Sequence, residues 1–236
     1  MKALILNSGM GTRMGDLTSE HPKCMTKISE DDTIISYQLK LLEQCGINDI
    51  VITTGFFDEV LVDYCKSLDL RLKYSFVKNP LYARTNYIYS IYLARAQLEG
   101  DIVLMHGDLV FETGVLKDIL KQGHSCMTVS SILPLPPKDF KAVIKNGLIR
   151  KIGIEFFEHA MAAQPLYKLN ETDWTIWLKK IIEFCEEGQV SCYAENAFNE
   201  VSDDCHIYPM DFKDKLCSEV DTPEDLKIVK RQIALL

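Results

Sequence analysis

The N-terminal segment joins a short apolar run to a glycine-rich stretch, and this pairing constrains the fold more than any other feature. Residues 3–6 have the length and apolar character of a buried strand, and residues 7–15 hold three glycines, an arginine and two small hydroxyl residues. Glycines let the backbone approach an anion closely and turn N–H groups toward it, while Arg13 and Lys23 supply positive charge. The segment therefore predicts a polyphosphate-binding loop at the end of a strand.

The loop matches neither of two widespread phosphate-binding patterns. The Walker pattern requires Gly-Lys-Ser/Thr, which is absent after Gly11. The dinucleotide fingerprint requires a third glycine where this chain has Met14. An ordinary strand-to-loop turn is the simplest alternative, so the rest of the chain has to decide between the two interpretations.

Strand-length apolar runs alternate with amphipathic helical stretches through the first half of the chain. The patterns predict strands at 3–6, 50–53, 70–77 and 102–105, and helices at 34–45, 58–68 and from Asn86 to about Leu98. Such β-then-α units form a mainly parallel sheet covered on both faces, with ligands beyond the carboxyl ends of the strands. We therefore expect a three-layer α/β/α, Rossmann-like, doubly wound fold in which residues 7–15 and Asp108 meet in one crevice.

The second half changes character after a predicted helix at 115–122 and a strand at 125–131. Residues 142–152 predict a β-hairpin turned by Asn146-Gly147, and a strand at 160–169 and a helix at about 172–187, capped by Thr172 or Asp173, follow. We predict that Trp174 and Trp177 on this helix pack in the core. A short strand at 206–210 and a helix capped by Thr222, with Pro223 at its first position, complete the chain.

These patterns indicate one domain, residues 1–236, with three parts. Residues 1–131 form a core that contains the predicted polyphosphate-binding loop, residues 132–205 a hairpin and helical elaboration, and residues 206–236 a return strand and C-terminal helix. The net charge of −8 and the lack of a basic run argue against nucleic-acid binding. No run approaches the ~20 apolar residues of a membrane span, and the eight cysteines form no Cys-x-x-Cys pair. We expect reduced thiols, a cytoplasmic location and no membrane insertion.

These motifs together resemble the nucleoside-triphosphate transferase family, which makes nucleotide-activated sugars, choline and related phosphonates. The segment 9–14, Gly-Met-Gly-Thr-Arg-Met, followed by Pro22-Lys23 carries the resemblance, and His106-Gly107-Asp108 and Glu219-Val220-Asp221 extend it. It covers most of the chain and weakens at about 138–205. One departure is that Asn7-Ser8 stands where the family usually has two alanines.

The resemblance implies roles for the charged residues. Asp108 and Asp221 would hold Mg²⁺, Arg13 the leaving β- and γ-phosphates, and Lys23 the α-phosphate and the acceptor phosphate. Taken singly, Asp108 could cap a turn and Asp221 could be favoured by a helix dipole. An acceptor phosphate is already ionised at neutral pH, since its second pKa is about 6, so no Ser-His-Asp triad is needed and His106 has no predicted catalytic role.

The resemblance also implies that the core at 1–131 binds the nucleotide and that the elaboration at 132–205 binds the acceptor. The nucleotide-binding residues would be Leu6, Asn7, Ser8, Gly9, Met10, Gly11, Thr12, Tyr82, Ala83, Asn86 and Gly107. We expect the acceptor pocket between residues 160 and 200, formed from among Gln164, Tyr167, Glu195 and Asn196, because an ammonium that leaves water must be paired.

Residues 82–93 resemble those of bacterial phosphocholine cytidylyltransferases and of their relatives acting on aminoethylphosphonate and phosphorylated amino-acid amides. This favours a Mg²⁺-dependent cytidylyltransferase that joins CTP to such a small acceptor, giving a CDP- or CMP-linked product and pyrophosphate. One alternative is a sugar-1-phosphate nucleotidylyltransferase using UTP, dTTP or GTP. The other is a catalytically silent nucleotide-binding homologue. The sequence leaves open whether the chain forms a homodimer.

Overall fold

The computed structural model describes residues 1–236 as a mixed nine-stranded sheet, a separate two-stranded sheet and helices on both faces of the large sheet. The strands are β1 Lys2–Leu6, β2 Asp49–Thr54, β3 Lys73–Lys78, β4 Ile102–His106, β5 Leu109–Phe111, β6 Cys126–Ser130, β7 Lys141–Lys145, β8 Leu148–Gly153, β9 Ala160–Leu169, β10 Tyr208–Asp211 and β11 Cys217–Glu219. The α-helices are α1 Ile34–Gln44, α2 Asp58–Ser67, α3 Tyr87–Ala94, α4 Thr113–Leu120, α5 Glu171–Glu186, α6 Ala194–Val201 and α7 Pro223–Ile233. Three short 3₁₀ segments, Thr12–Thr18, Lys23–Met25 and Arg95–Gln97, were not predicted.

The order of the main sheet is β10-β6-β9-β4-β1-β2-β3, and β7 joins it through β9. Strands β4, β1, β2 and β3 run parallel, whereas β9 lies antiparallel between β4 and β6. Leu6 at the end of β1 is level with Thr53 on β2 and His106 on β4. The carboxyl ends of these strands therefore open onto one crevice, and the predicted three-layer, mainly parallel fold is confirmed.

Both faces of the central strands are buried. On β1, Leu4 and Leu6 face a core that includes α3, α5 and α6, whereas Ala3 and Ile5 face a core that includes α1, α2 and α4. This alternation within a continuous apolar strand is what a sheet covered on both sides requires. Trp174 and Trp177 pack in the first of these cores, as predicted.

Local turn and cap chemistry agrees with the sequence except at α5. Asn146 and Gly147 have positive φ values of 55° and 76°, as a tight hairpin turn between β7 and β8 demands. Thr222 and Asp225 form the capping box of α7. The prediction for α5 was wrong, because its cap is Asn170. Asp173 instead accepts hydrogen bonds from Ser125 Oγ at 2.5 Å and His206 N at 2.8 Å, so its carboxylate braces neighbouring chain segments.

The small β5–β11 sheet was not predicted. Glu219 pairs with Leu109 across it, and Val220 N donates a 2.9 Å hydrogen bond to Asp108 O. This pairing brings the segment before α7 to the carboxyl end of β4. No helix of the structure combines the length and the apolar character needed to cross a membrane.

Candidate active site

A cavity of about 360 Å³ lies beyond the carboxyl ends of β1 and β4, and we call it the β1 cavity. Its wall contains the glycine-rich loop, the Pro22–Cys24 turn, Tyr82 and the acidic residues Asp108 and Asp221. Gly11 adopts φ 62°, a left-handed conformation that favours glycine. Because the loop begins where β1 ends and Asp108 follows β4, the parallel register alone brings these two segments together.

Lys23 lies at the centre of the charges in this cavity. Its Nζ contacts Asp221 Oδ1 at 2.7 Å and also contacts Asp108 Oδ2, and its side chain is only 14% exposed. Burial alone would lower the pKa of this ammonium, but the two carboxylates outweigh it and raise the pKa. Arg13 is 65% exposed and contacts the other oxygen of Asp221 at 2.9 Å. Two cations and two carboxylates therefore converge where the loop and β4 meet.

Asp108 is suited to hold a divalent cation. Burial would raise the pKa of this carboxyl, but the charges of Lys23 and His106 and the hydrogen bond from Lys23 together outweigh burial, so the pKa is lowered and the group is ionised at neutral pH. Its Oδ1 is buried and has no hydrogen-bond partner. An unpaired carboxylate oxygen beside a second carboxylate matches the hard oxygen ligands that such cations prefer.

A third acidic residue of the site was not among the predicted site residues. Glu219 Oε1 lies 3.0 Å from His106 Nδ1, and one ligand atom each of His106, Asp108 and Glu219 lie within 4.8 Å of one another. Burial and the charge of Asp108 raise the pKa of Glu219. Burial would lower the pKa of His106, but its contact with Glu219 raises that pKa. The spacing Glu219-Val220-Asp221 contained the signal, because alternate residues of an extended segment share a face.

A second cavity of about 360 Å³ adjoins the first and shares Arg13, Asp108 and Asp221 with it. We call it the aromatic cavity. Its further lining residues are Asn86, Tyr87, His106, Lys138, Asp139, Phe140, Ile154, Tyr193 and Glu219. The ring of Tyr193 lies 5.8 Å from that of Tyr87 and 5.2 Å from that of Phe140, so three aromatic rings lie together in the wall of this cavity.

The predicted nucleotide-binding residues are brought together with one exception. Leu6, Asn7, Gly9, Met10, Gly11, Thr12, Tyr82 and Gly107 line the β1 cavity. Ser8 and Asn86 line a smaller adjoining cavity of about 160 Å³. Ala83 lines none of these three cavities.

Three of the four predicted acceptor residues line none of these cavities, because Tyr167 and Glu195 are buried and Asn196 is exposed outside them. Glu195 is 1% exposed, and its carboxylate accepts hydrogen bonds from Tyr167 Oη at 2.8 Å and from Tyr87 Oη. Asn196 Oδ1 accepts from Tyr193 N at 3.0 Å in the cap of α6. Glu195 and Asn196 therefore position Tyr87 and Tyr193, which do line the aromatic cavity. Gln164 lines a fourth cavity with Arg13, Glu219 and Asp221.

Comparisons with known proteins show which proteins this chain resembles. The chain is 31% identical over 180 residues to CMP-5′-(3-aminopropyl)phosphonate synthase of Streptomyces rubellomurinus, and this match covers 72% of this chain and 28% of that protein. It is 34% identical over 122 residues to choline-phosphate cytidylyltransferase of Streptococcus pneumoniae, which covers 51% of each chain. The matched stretch thus spans from about a quarter to about half of these relatives' own length.

The fold also matches solved structures. A structure of CTP:phosphocholine cytidylyltransferase from Streptococcus pneumoniae covers 98% of both chains with a TM-score of 0.77 and 20% sequence identity, which shows a shared fold. The model of the MobA-like NTP transferase domain matches residues 3–132, more than half of the chain. The loop, Lys23 and Asp108 lie within that match, so the resemblance seen in the sequence is confirmed. The chain belongs to the MobA-like NTP transferase domain family.

Proposed function

We propose that this protein is a Mg²⁺-dependent cytidylyltransferase. It transfers CMP from CTP to a small amine-bearing phosphate or phosphonate and releases pyrophosphate. The observation that carries the proposal is the position of Lys23 between Asp108 and Asp221, where a phosphate-binding loop and an aromatic cavity meet. One relative is named choline-phosphate cytidylyltransferase and another CMP-5′-(3-aminopropyl)phosphonate synthase, and both names support the choice of class.

The residues of the β1 cavity suit a triphosphate. The loop after β1 would present backbone N–H groups to the phosphates, and Arg13, exposed at the rim, would hold the departing pyrophosphate. Lys23 has three N–H donors, of which two point to carboxylates, so one remains for an oxygen of the α-phosphate. Donors held in place before the reaction stabilise charge as it develops on the α-phosphate.

Asp108 and Asp221 would hold Mg²⁺, which when bound supplies further positive charge to the phosphate oxygens. The carboxylates keep Lys23 protonated and aimed at the same point, because their charge raises its pKa. The acceptor needs no base, since a phosphate or phosphonate oxygen is already ionised at neutral pH. Catalysis would thus consist of aligning the acceptor phosphate or phosphonate with the α-phosphate of CTP and neutralising the charge of both.

The aromatic cavity suits the cationic end of the acceptor. Tyr87, Phe140 and Tyr193 offer ring faces, and Glu219 and Asp139 add negative charge. An ammonium group that loses water there gains cation–π and ionic contacts. Because this cavity shares Arg13 and Asp108 with the β1 cavity, the acceptor's phosphate end would point toward the α-phosphate of CTP.

A substrate matrix tests the proposal. CTP, UTP, GTP and dTTP are each incubated with Mg²⁺ and with phosphocholine, aminoethylphosphonate, phosphoglutamine or glucose 1-phosphate, and pyrophosphate release is measured. We expect turnover with CTP and one amine-bearing acceptor, and none from Asp108→Asn. Turnover of glucose 1-phosphate with UTP, dTTP or GTP would establish the sugar-nucleotide alternative, and binding of CTP without turnover of any acceptor would favour a silent homologue.

A further inference from the structure

Asn7 has a firmly held backbone and an unsatisfied side chain. Its backbone N–H donates to Thr53 O at 3.1 Å and lies 3.2 Å from Thr53 Oγ1. The residue is 9% exposed, and its Nδ2 is buried without a hydrogen-bond partner. The neighbouring Ser8 differs, because its hydroxyl shares a 2.7 Å hydrogen bond with Ser90 Oγ.

The structure makes room for this carboxamide. A Cβ on residue 107 would lie 1.6 Å from Asn7 Oδ1, so only glycine fits at position 107 unless the Asn7 side chain or the residue 107 backbone moves. The backbone of Gly107 is fixed, since its N–H donates to Leu6 O at 3.0 Å. The carboxamide thus occupies a space between the ends of β1 and β4 and lines the β1 cavity beside Asp108.

An unpaired buried amide is unfavourable, and a small apolar residue would avoid the penalty. Thr26 and Tyr74 also bury an unpaired hydroxyl, but neither lines the β1 cavity, the aromatic cavity or the smaller cavity that adjoins them. A carboxamide can exchange its NH₂ and C=O ends by a half-turn about χ2, so it can turn either end toward a ligand. A half-turn would therefore bring the unpaired NH₂ group to the β1 cavity, where an oxygen of a ligand could accept a hydrogen bond from it.

We propose that Asn7 is a specificity-determining residue whose NH₂ group donates a hydrogen bond to the nucleoside part of the bound nucleotide. The inference rests on the proposed function. The phosphates are matched by the cations Arg13 and Lys23, whereas Asn7 is neutral and precedes the phosphate-binding glycines at the end of β1. The shared chemistry of the ligand atom is an oxygen acceptor, either a ribose hydroxyl or the pyrimidine carbonyl.

Calorimetric titrations with CTP, 2′-deoxy-CTP and 3′-deoxy-CTP, in Mg²⁺ and without acceptor, test the inference. We expect Asn7→Ala to weaken CTP binding about 2- to 13-fold, the range of one lost hydrogen bond. If the partner is a ribose hydroxyl, one deoxynucleotide binds the wild type more weakly, and Asn7→Ala removes that difference. If the partner is the base carbonyl, Asn7→Ala weakens all three nucleotides by the same factor.

Two further variants make the result decisive. Asn7→Asp has nearly the same shape but cannot donate, so it should bind CTP at least as weakly as Asn7→Ala, and it serves if the alanine variant fails to fold. Tyr74→Phe removes an unpaired buried hydroxyl elsewhere and should bind CTP like the wild type. Wild-type affinity for CTP, within twofold, in Asn7→Ala or in Asn7→Asp would overturn the inference. Failure of the proposed function would look different, because the wild type itself would either not bind CTP or bind it without turnover of any acceptor.

Discussion

Replacement of Lys23 by methionine removes the positive charge that contacts both Asp108 and Asp221. The side chain keeps most of its length, but the two carboxylates are left facing each other. Loss of one partner from a fully buried ion pair costs about 3–5 kcal/mol. The side chains here retain 14–18% exposure, so we expect a loss of about 2–4 kcal/mol in the free energy of unfolding.

At about 2–4 °C per kcal/mol for a chain of this size, Lys23→Met should unfold about 4–16 °C below the wild type in the presence of EDTA. Added Mg²⁺ should recover more stability in the variant than in the wild type, because a cation bound to the native state replaces the missing charge. Differential scanning calorimetry with and without Mg²⁺ measures both quantities.

Lys40→Met is the matched control. Lys40 Nζ contacts a single carboxylate, Asp32 Oδ1, at 2.7 Å, and its side chain is 40% exposed. Such a pair contributes about 0–1 kcal/mol, so the control should unfold close to the wild type with or without Mg²⁺. If Lys23→Met unfolds like Lys40→Met and Mg²⁺ stabilises both equally, the reasoning about the charges of this site is refuted.

Three more predictions concern turnover and binding. Asp108→Ala and Asp221→Ala should each lower turnover by about two to four decades, equivalent to ~3–5 kcal/mol of transition-state stabilisation. Normal Mg²⁺-dependent turnover in either variant would show that the replaced aspartate does not hold the metal. Arg13→Ala should weaken CTP binding in calorimetry, whereas Lys23→Ala should reduce acceptor-dependent turnover more than it reduces CTP binding. Equal losses of CTP affinity in the two variants would contradict separate roles for Arg13 and Lys23. Glu195→Gln should raise the acceptor KM with little change in the CTP KM, because only one of the two carboxamide ends can accept a hydrogen bond from Tyr87 or Tyr167. An unchanged acceptor KM would count against an indirect role of Glu195 in acceptor binding.

Local features of this chain could be predicted from its sequence because near neighbours decide them. The strand before the glycine loop, the Asn146-Gly147 turn and the Thr222 cap each depend on a few consecutive residues. Once parallel strands were expected, the meeting of the loop with Asp108 followed from chain direction alone. Because near neighbours also decide the period of a strand or helix, the predicted strands and helices agree with the structure within a few residues.

The rest of the site depends on contacts between residues far apart in the chain. The β5 and β11 strands are three residues each, too short to show a period, yet their pairing places Glu219 beside His106. Sequence likewise could not tell that Glu195 lies behind Tyr87, because a polar residue in a helix can face solvent, a cavity or the core. Its burial is decided by the packing of α6 against its neighbours, and that packing is a property of the tertiary structure alone.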